Sequence, residues 1–198
     1  MSKKVILLDP SILNGKKVVG TDGNILGEVD GIDIDISNWK ANALYVSLND
    51  KATAELRLRR SFLAKIVVCL PTKLVEAVGE IITLKEPISS LEDIAERGIL
   101  ASSTRISGKE VISAQGYVLG VTEGFDLDLT NWQVKGLRVG LTDDAATKLG
   151  FKRPFLSKVA IVIPSKIVGL VGNFITLSKT IENLDSLVEC IRACQRQT

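Results

Sequence analysis

The chain states one pattern twice. Asn38-Trp39 returns as Asn131-Trp132, 93 positions later. The same gapless shift carries Gly15 to Gly108, Gly27 to Gly120, Phe62-Leu63 to Phe155-Leu156, Pro71 to Pro164 and Ile82-Thr83-Leu84 to Ile175-Thr176-Leu177. Pairing residues 15–96 with 108–189 gives 32 identities in 82 pairs. Solenoid units run ~20–50 residues and need three or more copies to bury a core. Two copies of this length instead predict two small domains of one fold, residues 1–98 and 99–198. Whatever the chain does, a duplicated small module does it.

Several function classes fall away early. The longest apolar runs, Ile66–Leu70 and Val159–Ile163, are far short of the ~20 residues of a membrane helix. Lys3-Lys4 followed by Val5–Leu8 is stopped by Asp9-Pro10, too short for a signal h-region. Cys69, Cys190 and Cys194 make neither a disulfide nor a metal framework, which predicts a reducing cytoplasm. Net charge is +2, with 13 basic and 14 acidic side chains in residues 1–98 and 12 and 9 in residues 99–198. A nucleic-acid binder needs a more lopsided charge. There is no histidine, so the commonest general base and metal ligand are both missing. The expectation is a protein that is not an enzyme and carries no cofactor or metal.

One repeat reads as short β-strands. Gly15–Val19 is β-branched and is followed by the turn Thr21-Asp22-Gly23-Asn24. In Ile25–Ile36, Ile32, Ile34 and Ile36 alternate with Asp33 and Asp35, and Phe125–Leu129 repeats the pattern. That predicts a half-buried antiparallel strand with a wet outer face. Gly27 and Gly31, and their copies Gly120 and Gly124, predict bulges or bends. After the turn Ser37–Lys40, a second strand alternates through Leu44, Val46 and Leu48, and its copy through Leu137, Val139 and Leu141. Asn49-Asp50 caps a predicted helix over Lys51–Leu56, and Thr142-Asp143 one over Asp144–Leu149. A strand over Lys65–Leu70 ends at Pro71, a helical turn follows to Val75, and Glu80–Leu84 is the last strand. Five or six such strands bent by glycines predict a mainly β protein of two small barrels, each with one short helix. A linker helix over Ser89–Gly98 and a C-terminal amphipathic helix over Asn183–Gln197 complete the expectation, the latter burying Leu184, Leu187, Val188 and Ile191.

The residues that open each copy carry a resemblance. Gly15–Val18, Asp22–Asn24, Leu26–Asp30 and Ile34-Asp35 resemble the start of a PRC-barrel domain, a module named for the photosynthetic reaction centre H subunit and also found in a ribosome-maturation factor. Leu70–Leu84 and Ile163–Leu177 are similar to its archaeal branch. The likeness covers residues 12–88 and 105–181. It departs at Val121-Thr122 and at Gln115, which stands where the first copy has Asp22. Archaeal members include cell-division proteins, so the resemblance implies a binding partner in the FtsZ ring, such as a SepF-type anchor or another PRC-barrel protein. It also implies assembly into homo- or hetero-oligomers at the division site in the cytoplasm, and supplies no catalytic residue. The rival reading is a ribosome-assembly or RNA-processing factor.

Candidate sites are then few. Asp33/Asp35 and Asp126/Asp128 place paired carboxylates on one strand face, either a cation or catalytic pair or a solvated face, the latter favoured by the alternation. Trp39 and Trp132 sit at hairpin turns, where they plug a barrel end or meet a partner. Basic loops gather Arg57, Arg59, Arg60 and Lys65 in one copy, and Lys148, Lys152, Arg153 and Lys158 in the other. Ala43, Tyr45 and Ser47 alternate with core residues and are expected to face out, answered by Gly136, Arg138 and Gly140. An exposed Tyr45 against Arg138 would give the two copies unlike partner surfaces. Tyr45, Arg138, Arg57, Arg59, Arg60, Leu187 and Ile191 are therefore the candidate partner-binding residues.

Overall fold

Each repeat folds its alternating residues into the same set of short strands. A computed structural model of the chain describes residues 7–8, 10–58, 65–92, 106–151 and 158–184. The protein is mainly β. It divides into two units, Met1–Thr104 with Leu127–Gln133, and Arg105–Asp126 with Val134–Thr198. The second copy's Asn131-Trp132 turn thus counts with the first unit.

In the first unit, β1 (Leu7–Leu8) pairs with Leu127-Asp128. β2 (Lys17–Val19), β3 (Ile25–Asp35) and β4 (Lys40–Leu48) form an antiparallel run, continued on the far side of β4 by β5 (Val67–Pro71). β6 (Val75–Val78) pairs with β7 (Ile82–Leu84), and β7 lies parallel to β2. The spatial order is β6-β7-β2-β3-β4-β5. No ladder joins β5 to β6 among the described residues. Helix α1 (Asp50–Glu55) begins where the Asn49 side chain accepts the Ala52 amide, as its capping residue predicts.

The second unit repeats this order. β8 (Glu110–Ile112) lies between β9 (Val118–Asp128) and β13 (Ile175–Leu177); β9 neighbours β10 (Gln133–Leu141), and β10 pairs with β11 (Ala160–Pro164). β12 (Val168–Val171) pairs with β13 at the end of the order. Helix α2 (Asp143–Lys148) is capped by the Thr142 hydroxyl, which accepts the Ala145 amide.

The alternating positions supply the cores. Val18, Leu26, Val29, Leu44, Val46, Leu70 and Ile82 are buried in the first unit, and Val111, Leu119, Leu137, Val139, Ile163 and Ile175 in the second. Burying each such side chain contributes roughly 1.5–3 kcal/mol. The glycines of β3 and β9 serve a close approach. A Cβ on Gly27 would collide with the Ser47 carbonyl, and one on Gly120 with that of Gly140. The ladder shifts at Val29/Gly31, beside the second predicted glycine.

Several expectations need correction. Ala43, Tyr45 and Ser47 are not exposed: all three are buried, Tyr45 with 8% of its surface open. β4 is an interior strand, paired with β3 on one side and β5 on the other, so residues of both neighbours flank these side chains. Asp128 is also buried rather than on a wet face, because it turns in to accept the Thr130 amide at 3.0 Å and its hydroxyl at 2.6 Å. Strands β6 and β12 were missed, being only four residues long and adjacent to turns. Of the linker segment, a 3-10 turn spans Ile88–Leu91, Glu92 follows it, and residues 93–98 lie outside the described residues. Leu91 and its counterpart Leu184 are both buried, whereas Leu187, Val188 and Ile191 lie outside the described residues.

Candidate partner-binding site

Cross-strand pairing gathers polar groups on the outer face of β3 and β4. Tyr45 sits opposite Gly31 on one side and Cys69 on the other. The ring lies beside Gly31, where even a methyl would stand at an ordinary 3.6 Å from Cδ2. The Tyr45 hydroxyl donates to Asp33 at 3.3 Å, and the Ser47 hydroxyl donates to Asp30. Burial, then the Asp33 carboxylate, pushes the Tyr45 pKa up to about 12. Burial and Asp33 also push the Cys69 thiol up, so its thiolate is disfavoured and the group is a poor nucleophile.

The second copy solves the same position differently. Asp126, the counterpart of Asp33, receives Arg138 Nε at 2.8 Å and Nη2 at 2.7 Å. The Arg138 side chain keeps 36% of its surface open while Asp126 keeps 15%. Tyr45 and Arg138 therefore both answer a carboxylate across the strand pair, which leaves Arg138 the more accessible of the two.

The strand-face carboxylates are structural. Asp35 accepts the Ser37 hydroxyl at 2.6 Å, the Ser37 amide at 2.9 Å and Asn38 Nδ2 at 2.8 Å. Those donors, the Ser37 hydroxyl first, lower its pKa. With Asp128 capping Thr130, the second acid of each pair orders its hairpin turn rather than waiting for a cation. Among the described residues no three His, Cys, Asp or Glu side chains gather as metal ligands do.

Both hairpins end on a tryptophan with left-handed backbone, Trp39 at φ 55° and Trp132 at φ 60°. A bulky residue there is a backbone outlier. Within the first unit the Trp132 carbonyl accepts the Ala41 amide at 2.8 Å, and Gln133 Nε2 donates to the Asn38 and Trp39 carbonyls. Trp132 does not simply plug an end. It lines an open groove of about 500 Å³ with Leu129 and Thr130, facing Val75, Ala77 and Val78 of β6. Lys73 and Lys85 stand at the groove, where Lys85 Nζ donates to the Lys73 carbonyl. β6 ends the strand order, so the groove runs beside a strand edge. Sequence reading missed the groove because β6 carries no alternation long enough to read, though the paired tryptophans signalled its other wall.

The basic loop is only partly placed. Arg57 is exposed, stands 3.7 Å from Glu92, and has φ 52°, while its counterpart Gly150 has φ 69°. Both close a helix: the amides of residues 57 and 58 return to Ala54 and Thr53, and those of 150 and 151 to Thr147 and Ala146. Glycine takes that conformation without a Cβ penalty, and arginine does not. Arg59, Arg60, Lys152 and Arg153, with Cys190 and Cys194, lie outside the described residues.

No protein-family model and no curated protein matches the chain.

Proposed function

We propose that the chain is a non-enzymatic adaptor whose two repeats are small barrels of the PRC type, binding a protein partner of the archaeal division ring in the cytoplasm. The observation that carries the binding reading is the groove beside the β6 edge, walled by Trp132 and Leu129. An extended segment laid there could pair with the β6 edge, which carries no second ladder among the described residues, and pack an apolar side chain on the indole. The shared strand order of the two units, with its parallel β2–β7 and β8–β13 pairs, supports the tandem-module part of the reading. FtsZ-ring proteins and their SepF-type anchors are the partners the sequence resemblance suggests.

Capture from an archaeal lysate with and without nuclease, followed by identification of the bound proteins, tests this directly. The expected result is retention of a division protein in both arms. Retention lost on nuclease treatment would favour the ribosome-assembly reading instead. Trp132→Ala should then weaken the captured complex by ~2 kcal/mol, about thirtyfold in affinity, as loss of an interface-centre aromatic does. Unchanged affinity would remove the groove from the proposal. With Tyr45 buried, the outer-face contribution passes to Arg138, and Arg138→Ala should cost more than Tyr45→Phe in the same assay.

A further inference from the structure

The end strands β6 and β12 of the two units are equivalent by repeat and opposite in chemistry. In the first unit, β6 and the turn after it read Val75-Glu76-Ala77-Val78-Gly79-Glu80-Ile81. In the second, β12 and its turn read Val168-Gly169-Leu170-Val171-Gly172-Asn173-Phe174. The backbone is the same. Each strand pairs with only one neighbour among the described residues, and each carries the same ladder shift, at Val75/Ala77 and at Val168/Leu170. The lysines Lys16 and Lys109 fasten the following turn in each unit, donating to the Gly79 and Gly172 carbonyls at 2.6 Å.

What differs is the guard. An open strand edge is a template for another chain, and charged side chains are a common way to block it. Glu76 and Glu80 provide that block on β6. On β12 both are gone, and Ala77 is answered by Leu170, which is 68% exposed, with Phe174 50% exposed beside it. From Val168 to Phe174 there is no charge at all.

We propose that the β12 edge is a self-association surface, on which a second copy of this chain pairs its own β12 antiparallel about a two-fold axis. An isologous contact sets each residue against the same patch of its twin. An acidic edge would meet a second acidic edge and bring like charges within a few residues of each other, and the uncharged run from Val168 to Phe174 avoids that repulsion. A different partner would be served equally well by an edge that kept its charge and met the opposite sign. The surface uses no residue of the β6 groove, so the end strands of the two units have separate tasks. A strand of four residues buries little area, so the contact belongs to the weak, concentration-dependent class of interfaces.

The test joins solution mass with hydrogen exchange on the intact chain. Light scattering across a dilution series should show a dimer that falls to monomer on dilution. Exchange of the β12 amides should slow as concentration rises, while the β6 amides, an internal control, stay unchanged. Leu170→Glu should halve the mass at concentrations where the parent is dimeric. Asn173→Glu, which restores the charge of Glu80 at its counterpart, should weaken the dimer with the fold untouched by circular dichroism, covering the case in which the Leu170 variant fails to fold. A chain that stays monomeric up to its solubility limit overturns the proposal. So does a dimer that survives both substitutions, or one whose protection appears away from β12.

Discussion

The two units keep one backbone and differ in how side chains hold it. The turn between β2 and β3 is fixed in the first unit by Asp22, whose carboxylate accepts the Asn24 amide at 3.1 Å. Gly20 makes room, since a Cβ there would come 2.6 Å from that carboxylate. In the second unit Ser113 replaces Gly20, and its hydroxyl accepts the Tyr117 amide at 3.2 Å, freeing Gln115 from the role. The turn is tied to the following helix through Lys51 Nζ to Asn24 Oδ1 in one unit, and through the Tyr117 hydroxyl to Asp144 in the other. Lys148 also stands 4.0 Å over the Tyr117 ring. The fold demands an acceptor or a donor at each place and tolerates several residues that supply one. Where geometry leaves no alternative, the residue is fixed: Gly27 and Gly120, whose Cβ would strike a neighbouring carbonyl, are identical.

The strongest way to break the comparison is through a position at which the units are alike. Gly27→Ala and Gly120→Ala each force a methyl into a neighbouring carbonyl, and overpacking of that kind costs about 3 kcal/mol or more. Denaturant unfolding should show both variants destabilised, each in its own unit. A loss at one site only would mean that strand approach matters in one copy alone.

A smaller effect separates the two answers to one carboxylate. Arg138→Met removes two charge-assisted bonds from the largely buried Asp126, a loss of roughly 1.5–3 kcal/mol. Tyr45→Phe removes one long bond to Asp33, worth about 0.5–1 kcal/mol. Tyr45→Phe also has a pH signature. A folded-state pKa of about 12 exceeds the unfolded value near 10, so the Tyr45 contribution is present below pH 10 and lost as pH rises toward 12. The variant should lose stability less steeply across that interval than the parent, and identical slopes would place the titration elsewhere.

Backbone strain at the helix ends gives a third test. Gly150→Arg should cost about 1 kcal/mol, and Arg57→Gly should return a somewhat smaller gain. If Arg57→Gly stabilises the chain yet weakens partner capture, the arginine is held in its costly conformation for contact rather than for folding.

These swaps also explain what could be read in advance. Strand alternation, both capped helices and the duplication were legible because each rests on local pattern. Side-chain chemistry points to Asn49-Asp50 and Thr142-Asp143 as caps, and the structure shows that Asn49 and Thr142 are the ones that accept the amides. The buried state of Tyr45 was not legible, since alternation assigns a face but cannot say that β4 is an interior strand flanked by β3 and β5. Asp128 misled for a related reason: an acid in the alternating pattern signals water, and only the turn geometry reveals its donors at Thr130. The groove at Trp132 depends on residues more than 50 positions apart, beyond any local period.

The smallest predicted effect is the sharpest comparison, because it asks one turn to titrate and its copy to stay silent. Asp22 is held below the usual carboxylate range, chiefly by the Asn24 side chain and then by backbone amides. A carboxylate depressed in the folded state contributes stability above its unfolded pKa and gives it up as pH falls through the folded value. In the first unit, therefore, acidification beyond the ordinary aspartate range should protonate Asp22 and release the Asn24 amide. The Ser113 hydroxyl does not titrate, so the Tyr117 amide should hold its position over the same range. Two-dimensional amide spectra through the acid limb read both at once, with Tyr117→Phe used to uncouple Asp144 from the second turn. Transplanting the pair, Gly20→Ser with Asp22→Gln, should make the first turn as indifferent to acid as the second. The single change Asp22→Gln without the serine should leave the Asn24 amide without its anionic acceptor and the turn faster in exchange at every pH. If the double variant exchanges no more slowly than the single one, the two turns are not interchangeable solutions, and the equivalence of the copies ends at the backbone.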